Sequence, residues 1–334
     1  MQIHHFLGTI GGLSLFLFGM KVMSEGLEEL AGKRLEIILG KMTDTKIKAI
    51  LAGTLITCLI QSSSAMTILL IGFVNAKVMK LKNAIWVVMG ANIGTTITGV
   101  MIALNIGMIA PLLSLIGVCL LLFIQKEKCQ NIGYMMIGLG VLFMGLDMMS
   151  ISLKPLQYNT YFMNLMKTLS HPVLAILFGV MFTCIIQSSS ASLGILQALS
   201  HQGFIPLSIG LSMIYGFNIG TCITAFLASL TSCDNSKRLT CFHILLNIYG
   251  TVVFFVCDMF LPFDSIMRIL APDSIMMQLA CFHTLFNMIS TIIVLPIDCY
   301  LFRLVYKMIP EKRDVLRKMD IEKGMASYES TNPI

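Results

Sequence analysis

The sequence predicts an all-α polytopic membrane protein: two inverted repeats, each with a re-entrant helical hairpin, and about seven transmembrane spans. Three observations point there. The chain is 56% hydrophobic and 12% charged, with a mean hydropathy of +0.85, where a soluble domain carries about 25% charged residues. Its apolar segments are long and continuous, unlike the alternating strips of about ten residues in a membrane β-barrel. Finally, Gln61-Ser62-Ser63-Ser64-Ala65 returns as Gln187-Ser188-Ser189-Ser190-Ala191. Each copy lies inside an apolar segment, where adjacent polar side chains are costly.

Taken in order, a first span covers about 4–30 and carries Lys21 and Glu25. It lacks a charged leader and a small-residue cleavage pattern, so it reads as a retained helix and not a signal peptide. A basic loop follows (Lys33, Arg34, Lys41, Lys46, Lys48), then the segment 49–76 interrupted by the first QSSSA. After Lys77, Lys80 and Lys82 comes a span over 83–104 that contains Asn92-Ile93-Gly94-Thr95-Thr96. The turn at 105–111 leads to spans at 112–125 and 131–153, separated by Lys126 and Lys128. A polar connection at 154–171 precedes 172–199 with the second QSSSA, and 205–230 with Asn218-Ile219-Gly220-Thr221-Cys222. The last spans are 240–261 and 276–302.

The two copies are in register. An offset of 126 relates Gln61 to Gln187, Asn92 to Asn218, Gly90 to Gly216, Thr57 to Thr183, Gly12 to Gly138 and Gly19 to Gly145. Repeat one is therefore 8–104 and repeat two 134–230, the internal duplication typical of transporter folds. A weaker echo relates Cys241, His243 and Asn247 to Cys281, His283 and Asn287. The expected organisation is one transmembrane transporter domain over 1–310, including C-terminal helices at 240–306. The mixed-charge tail at 311–334 is expected to be cytoplasmic and disordered.

Each QSSSA segment is about 28 residues, and its polar tip divides it into arms of about 18 Å, which suits a hairpin reaching the midplane. A Ser that bonds its own backbone could instead sit in a continuous helix. Loop charge favours hairpins: they place 19 basic residues inside and three outside, whereas full crossings give 16 against 6. The hairpins make the repeats inverted and set the C-terminus in the cytoplasm of a cell whose plasma membrane holds the chain. The net charge of +6 lies in these short loops, so it signals topology and not nucleic acid. The ten Cys include no C-x-x-C pair and fall largely in apolar segments, which argues against a transition-metal site.

A helix broken at such a tip offers N–H donors and a positive dipole end to an anion, and carbonyls to a small hard cation. Ser, Gln and Asn side chains can serve either ion. A buried anion with no Arg beside it needs co-bound cations for charge balance, so sodium is expected as a co-substrate and no cofactor is required.

The doubled QSSSA, each copy followed by Gly-x-Asn-Ile-Gly-Thr, resembles the type II sodium–phosphate cotransporter family over about residues 8–300. The resemblance implies sodium-coupled symport of inorganic phosphate by alternating access, with phosphate and sodium as partners. It assigns both to Gln61, Ser62, Ser63, Ser64, Gln187, Ser188, Ser189 and Ser190, supported by Asn92, Thr95, Thr96, Asn218 and Thr221. Thr67, Asn247 and Asn287 are further supporting candidates. Cys222 stands where the first copy has Thr96, a weaker ligand for a cation. Many bacterial relatives carry a cytoplasmic helical domain after the membrane part, which this chain is expected to lack.

Duller readings stand beside these. QSSSA could pack helices closely, and the Asn-Ile-Gly-Thr clusters could be kinks. His243 and His283 suit interhelical hydrogen bonds more than a proton relay. Lys21 and Asp147, repeat mates, could pair across a two-fold axis, or the lysine could snorkel. Glu25, Glu28 and Asp298 are expected at the interface. Rival functions are a sulfate carrier, a phosphate exporter, a non-transporting scaffold, and an intramembrane serine hydrolase. The last lacks G-x-S-x-G and H-E-x-x-H.

Overall fold

The computed structural model describes residues 3–31, 44–104, 106–155 and 159–310. The basic positions Lys33, Arg34 and Lys41, and the tail 311–334, lie outside them. The helices are α1 (Ile3–Ala31), α2 (Lys46–Ile60), α3 (Ser63–Asn75), α4 (Leu81–Gly94), α5 (Thr96–Ala103), α6 (Ala110–Phe123) and α7 (Glu127–Leu153). They continue as α8 (Thr160–Leu169), α9 (Pro172–Ile186), α10 (Ser189–His201), α11 (Leu207–Gly220), α12 (Cys222–Ser229), α13 (Asp234–Asp258), α14 (Phe263–Leu270) and α15 (Ile275–Met308).

Among the described residues, six helical stretches are long and apolar enough to cross a membrane: α1, α4 with α5, α7, α11 with α12, α13 and α15. The span expected at 112–125 is the shorter apolar helix Gly107–Phe123. A further bent pair, α8 and α9, turns through 111°. The protein is thus an all-α multi-pass membrane protein. The helix ends repeat with the 126-residue offset from α2–α5 to α9–α12, boundary for boundary. Even the left-handed turn residue after α3, Lys77 (φ 59°), has its mate in Gly203 (φ 77°).

Small residues set the closest contacts, because lipid gives helices no hydrophobic drive to associate and tight packing must supply it. A Cβ on Gly12 would come within 2.7 Å of the Gly145 carbonyl, and one on Gly19 within 2.6 Å of that of Gly138. Helices α1 and α7 therefore pack antiparallel. Gly12 and Gly19 are the repeat mates of Gly138 and Gly145, so the contacts are reciprocal and centre near residues 15–16 and 141–142. Lys21 and Asp147 then lie on opposite sides of that centre, about 16 Å apart along the helices at 1.5 Å per residue. The pairing considered for them does not form. Lys21 pairs with Glu25 at 3.6 Å.

Helices α2 and α4 run parallel: Thr54 Oγ1 donates to the Gly90 carbonyl (3.1 Å) and Cys58 Sγ to that of Gly94 (3.5 Å), both 36 residues on. The second repeat does the same, with Cys184 Sγ on the Gly220 carbonyl (3.7 Å). Glycines make this approach possible. A Cβ on Gly94 would come within 2.8 Å of Thr57 Cβ, and one on Gly220 within 2.9 Å of Thr183 Cβ.

Two apolar cores result. One joins the second repeat to α1 and α7 around Phe16, Leu142 and Tyr215. The other joins the first repeat to α13 and α15 around Met66, Trp86 and Phe242. Asp298, expected at the interface, is buried within the protein. It is 4% exposed, accepting from Lys46 Nζ and from Trp86 Nε1, each at 2.8 Å, and from Cys299 Sγ at 3.4 Å. A buried carboxylate is tolerated because these donors reach it.

Candidate functional site

Both tips form by the same local mechanism. Helix α2 stops because Gln61 turns left-handed (φ 60°, ψ 16°), its N–H still bonded to the Thr57 carbonyl. Ser62 is then extended (φ −142°, ψ 105°), and its Oγ accepts from Ala65 N at 3.1 Å, capping α3. Gln187 (φ 62°, ψ 18°) and Ser188 (φ −146°, ψ 114°) repeat this, with Ser188 Oγ accepting from Ala191 N at 3.2 Å. A left-handed residue with a side chain costs about 1–2 kcal/mol. Paying that twice, in equivalent places, marks these turns as built features.

The tips differ in their surroundings. Gln61 is buried: its Nε2 donates to the Cys58 carbonyl (2.9 Å) and its Oε1 accepts from Thr98 Oγ1 (2.6 Å). Gln187 is exposed. Ser64 Oγ accepts from Thr224 Oγ1 at 2.9 Å, so the first tip touches α12 of the second repeat. Ser190 Oγ lies 3.5 Å from the Thr95 carbonyl, so the second tip touches the first repeat's helix break. Ser189 N donates to Thr221 Oγ1 (3.0 Å) within its own repeat. Ser63 is buried, and its carbonyl accepts from Thr67 Oγ1 (2.8 Å). Each tip thus reaches the broken helix of the opposite repeat, at the break or one turn past it.

The Gly-x-Asn-Ile-Gly-Thr sequence has a two-sided use. Gly90 and Gly94 face α2, as Gly216 and Gly220 face α9. The asparagines face the C-terminal helices. Asn92 Nδ2 donates to Asn247 Oδ1 (2.8 Å), and Asn92 Oδ1 meets His243 Nε2 (2.9 Å). Asn218 Oδ1 meets His283 Nε2 (3.3 Å), and the Asn218 carbonyl accepts from Asn247 Nδ2 (2.9 Å). Asn247 Nδ2 also lies 3.1 Å from Cys222 Sγ. Asn287 Nδ2 donates to the His283 carbonyl (2.9 Å), within its own helix. The histidines are thus interhelical partners, and the echo 40 residues apart is a true equivalence: His243 serves Asn92 as His283 serves Asn218.

Of the expected residues, Ser190 meets the Thr95 carbonyl and Ser189 meets Thr221, while Asn92, Asn218 and Asn247 lock the frame beside them. Thr96 Oγ1 returns to the Ile93 carbonyl (2.8 Å). The buried hydroxyls of Thr57 and Thr95 have no hydrogen-bond partner among the described residues. Sequence reasoning missed Thr98 and Thr224, which touch Gln61 and Ser64. They are 126 residues apart, and that offset was the available signal. Among the described residues no three His, Cys, Asp or Glu side chains group to hold a metal ion. The donors at the tips are hydroxyls, amides and carbonyls, suited to a hard cation or an oxyanion.

Comparison with known proteins agrees with this duplicated arrangement. The Na+/Pi-cotransporter family pattern matches twice, over residues 15–151 and 147–277. The uncharacterized protein YqeW of Bacillus subtilis is 33% identical over 298 residues, 89% of this chain and 96% of that protein. The putative inorganic phosphate export protein YjbB of Escherichia coli K12 is 26% identical over 74% of this chain, which spans 46% of YjbB. Rat sodium-dependent phosphate transport protein 2A is 31% identical over 28% of this chain and 15% of its own length. No solved structure matches. With both halves of the duplication matched, the chain belongs to the Na+/Pi-cotransporter family, a family of transporters and not of enzymes.

Proposed function

We propose that the chain is a secondary active carrier of inorganic phosphate, coupled to sodium, that works in net export across the plasma membrane. The observation that carries this reading is the pair of equivalent tips, each a left-handed Gln followed by a helix-capping Ser, each touching the broken helix of the other repeat. Gln61, Ser62, Ser63, Ser64, Gln187, Ser188, Ser189 and Ser190 supply donors to phosphate, and with the carbonyl ends of α2 and α9 they supply oxygens to sodium. Thr95 and Thr221 stand behind them.

The parallel course of α2 and α4, and of α9 and α11, supports two re-entrant hairpins, since α3 and α10 must then run back. The reciprocal antiparallel packing of α1 on α7 supports inverted topology. Repeats 8–104 and 134–230 with helices 240–306 then form one membrane domain, and the tail at 311–334 is cytoplasmic. Gln61 is buried and Gln187 exposed, as in a carrier resting with one half of its site open.

Sodium neutralises a phosphate that could not be buried alone. Each net charge moved is worth about 2.3 kcal/mol per 100 mV. A coupled carrier runs in the direction set by the summed gradients of its ions. Export is favoured here because the relatives named for phosphate export match three quarters of the chain. Proteoliposomes loaded with radiolabelled phosphate test this. Efflux should require sodium on the phosphate side, and Ser62→Ala or Ser188→Ala should each slow it by about tenfold or more, the worth of a hydrogen bond to a charged group. Sodium-independent efflux would refute coupling, and sulfate carried as fast as phosphate would refute the substrate.

A further inference from the structure

We infer that Thr98 and Thr224 are positioning residues that exchange hydrogen-bond partners between the two tips as the carrier changes the side it faces. This rests on the carrier reading given above. In the observed state both hydroxyls serve the first tip. Thr98 Oγ1 holds Gln61 Oε1 (2.6 Å) and Thr224 Oγ1 holds Ser64 Oγ (2.9 Å). The two threonines are repeat mates, yet they are used unequally, and Gln187, the mate of Gln61, is exposed. A chain of two equivalent halves has a second state in which the halves trade conformations. The trade gives Thr224 Oγ1 to Gln187 Oε1 and Thr98 Oγ1 to Ser190 Oγ.

Independent features agree. Ser190 Oγ already lies 3.5 Å from the Thr95 carbonyl, one helical turn before Thr98 on the same face. Helix α5 also packs on the second tip's returning arm: Gln197 Nε2 of α10 donates to the Gly99 carbonyl (2.9 Å), beside Thr98. Thr221 Oγ1 accepts from Ser189 N, whereas its mate Thr95 Oγ1 is buried with no hydrogen-bond partner among the described residues. The traded state supplies that missing partner as Ser63 N. An orphan hydroxyl in one half, matched by a satisfied one in the other, is what a two-state exchange requires.

Double-cysteine cross-linking in proteoliposomes, with a short thiol-reactive cross-linker and peptide mapping to separate the product from native cysteines, tests the exchange. Thr224→Cys with Ser64→Cys reports the observed state, and Thr98→Cys with Ser190→Cys the traded one. Both should cross-link well above Thr98→Cys with Ser200→Cys. Ser64→Cys and Ser190→Cys replace proposed ligands, so the readout is the cross-link and not flux. Thr95→Val removes a bond made only in the traded state, so it should shift the ratio of the two states about fivefold toward the observed one, a hydrogen bond's worth, and Thr95→Ser should restore it. The ratio is read as the relative yield of the Thr224→Cys/Ser64→Cys and Thr98→Cys/Ser190→Cys pairs. Absence of the traded cross-link, or a ratio that Thr95→Val leaves unchanged, would overturn the exchange. Cross-linking of both pairs, with a parent protein of unaltered sequence that moves no phosphate, would keep the exchange and sink the phosphate reading.

Discussion

Replacing Asp298 by Ala should loosen the base of the first repeat. Asp298 is 4% exposed and is the acceptor for both Lys46 at the start of α2 and Trp86 in α4, each at 2.8 Å. A hydrogen bond to a charged group contributes about 1.5–3 kcal/mol. Breaking a fully buried ion pair costs about 3–5 kcal/mol. The Lys46 side chain is 36% exposed, so its ammonium can turn to water and the pair's share falls toward the surface value of about 1 kcal/mol or less. The expected loss is therefore about 2–3 kcal/mol. Trp86 is the sole tryptophan, so its fluorescence during reversible unfolding in mixed micelles reads the site directly. Lys46→Met combined with Asp298→Ala should recover about 1 kcal/mol relative to additivity.

A built-in control is Asp258, which stands 40 residues before Asp298. The C-terminal half of its helix faces the second repeat, where Thr251 Oγ1 donates to the Tyr215 carbonyl and Pro172 and Ser212 occupy the places of Lys46 and Trp86. Asp258→Ala should stay within about 0.5 kcal/mol of the parent. An additive double mutant, or an Asp298→Ala variant as stable as the parent, would refute this account.

Gly220→Ala should be severely destabilising, by about 3 kcal/mol or more, since the new methyl meets the Val180 carbonyl at 2.6 Å and Thr183 Cβ at 2.9 Å; Gly72→Ala, with open space around it, should be neutral or slightly stabilising in the same melts. Asn247→Ala should cost about 2–3 kcal/mol, because Asn247 bridges the Asn92 side chain and the Asn218 carbonyl. Asn287→Ala, which removes one bond within its own helix, should cost less than half as much, and equal losses in thermal unfolding would contradict the bridge.

Much of this architecture was legible in the chain. Apolar length located the long spans, and the 126-residue offset identified Gln61 with Gln187 before any coordinate was needed. That offset works because duplicated helices keep their ends: a left-handed turn, a capping serine and paired glycines are local devices written in adjacent residues. The burial of Asp298 was not legible because its partners lie 252 and 212 residues away, and nothing local distinguishes a carboxylate with buried donors from a solvated one. Lys21 and Asp147 show the same limit. Their equivalence was correct, but equivalence does not say where the two-fold axis passes, and here it passes five to six residues from each.

By itself, then, the sequence determined the duplication, the helices and the two polar tips, since each follows from residues within a few turns of one another. Tertiary structure decided which helix faces which. Glycine contacts between α1 and α7 set the antiparallel crossing; His243 on Asn92 and His283 on Asn218 set the N-terminal halves of α13 and α15 against the first and second repeats, while Thr251 on the Tyr215 carbonyl and Asp298 on Trp86 set their C-terminal halves against the opposite repeats. It also decided that two equivalent threonines serve one tip. That asymmetry belongs to a packing state, which identical repeats cannot encode in their shared residues.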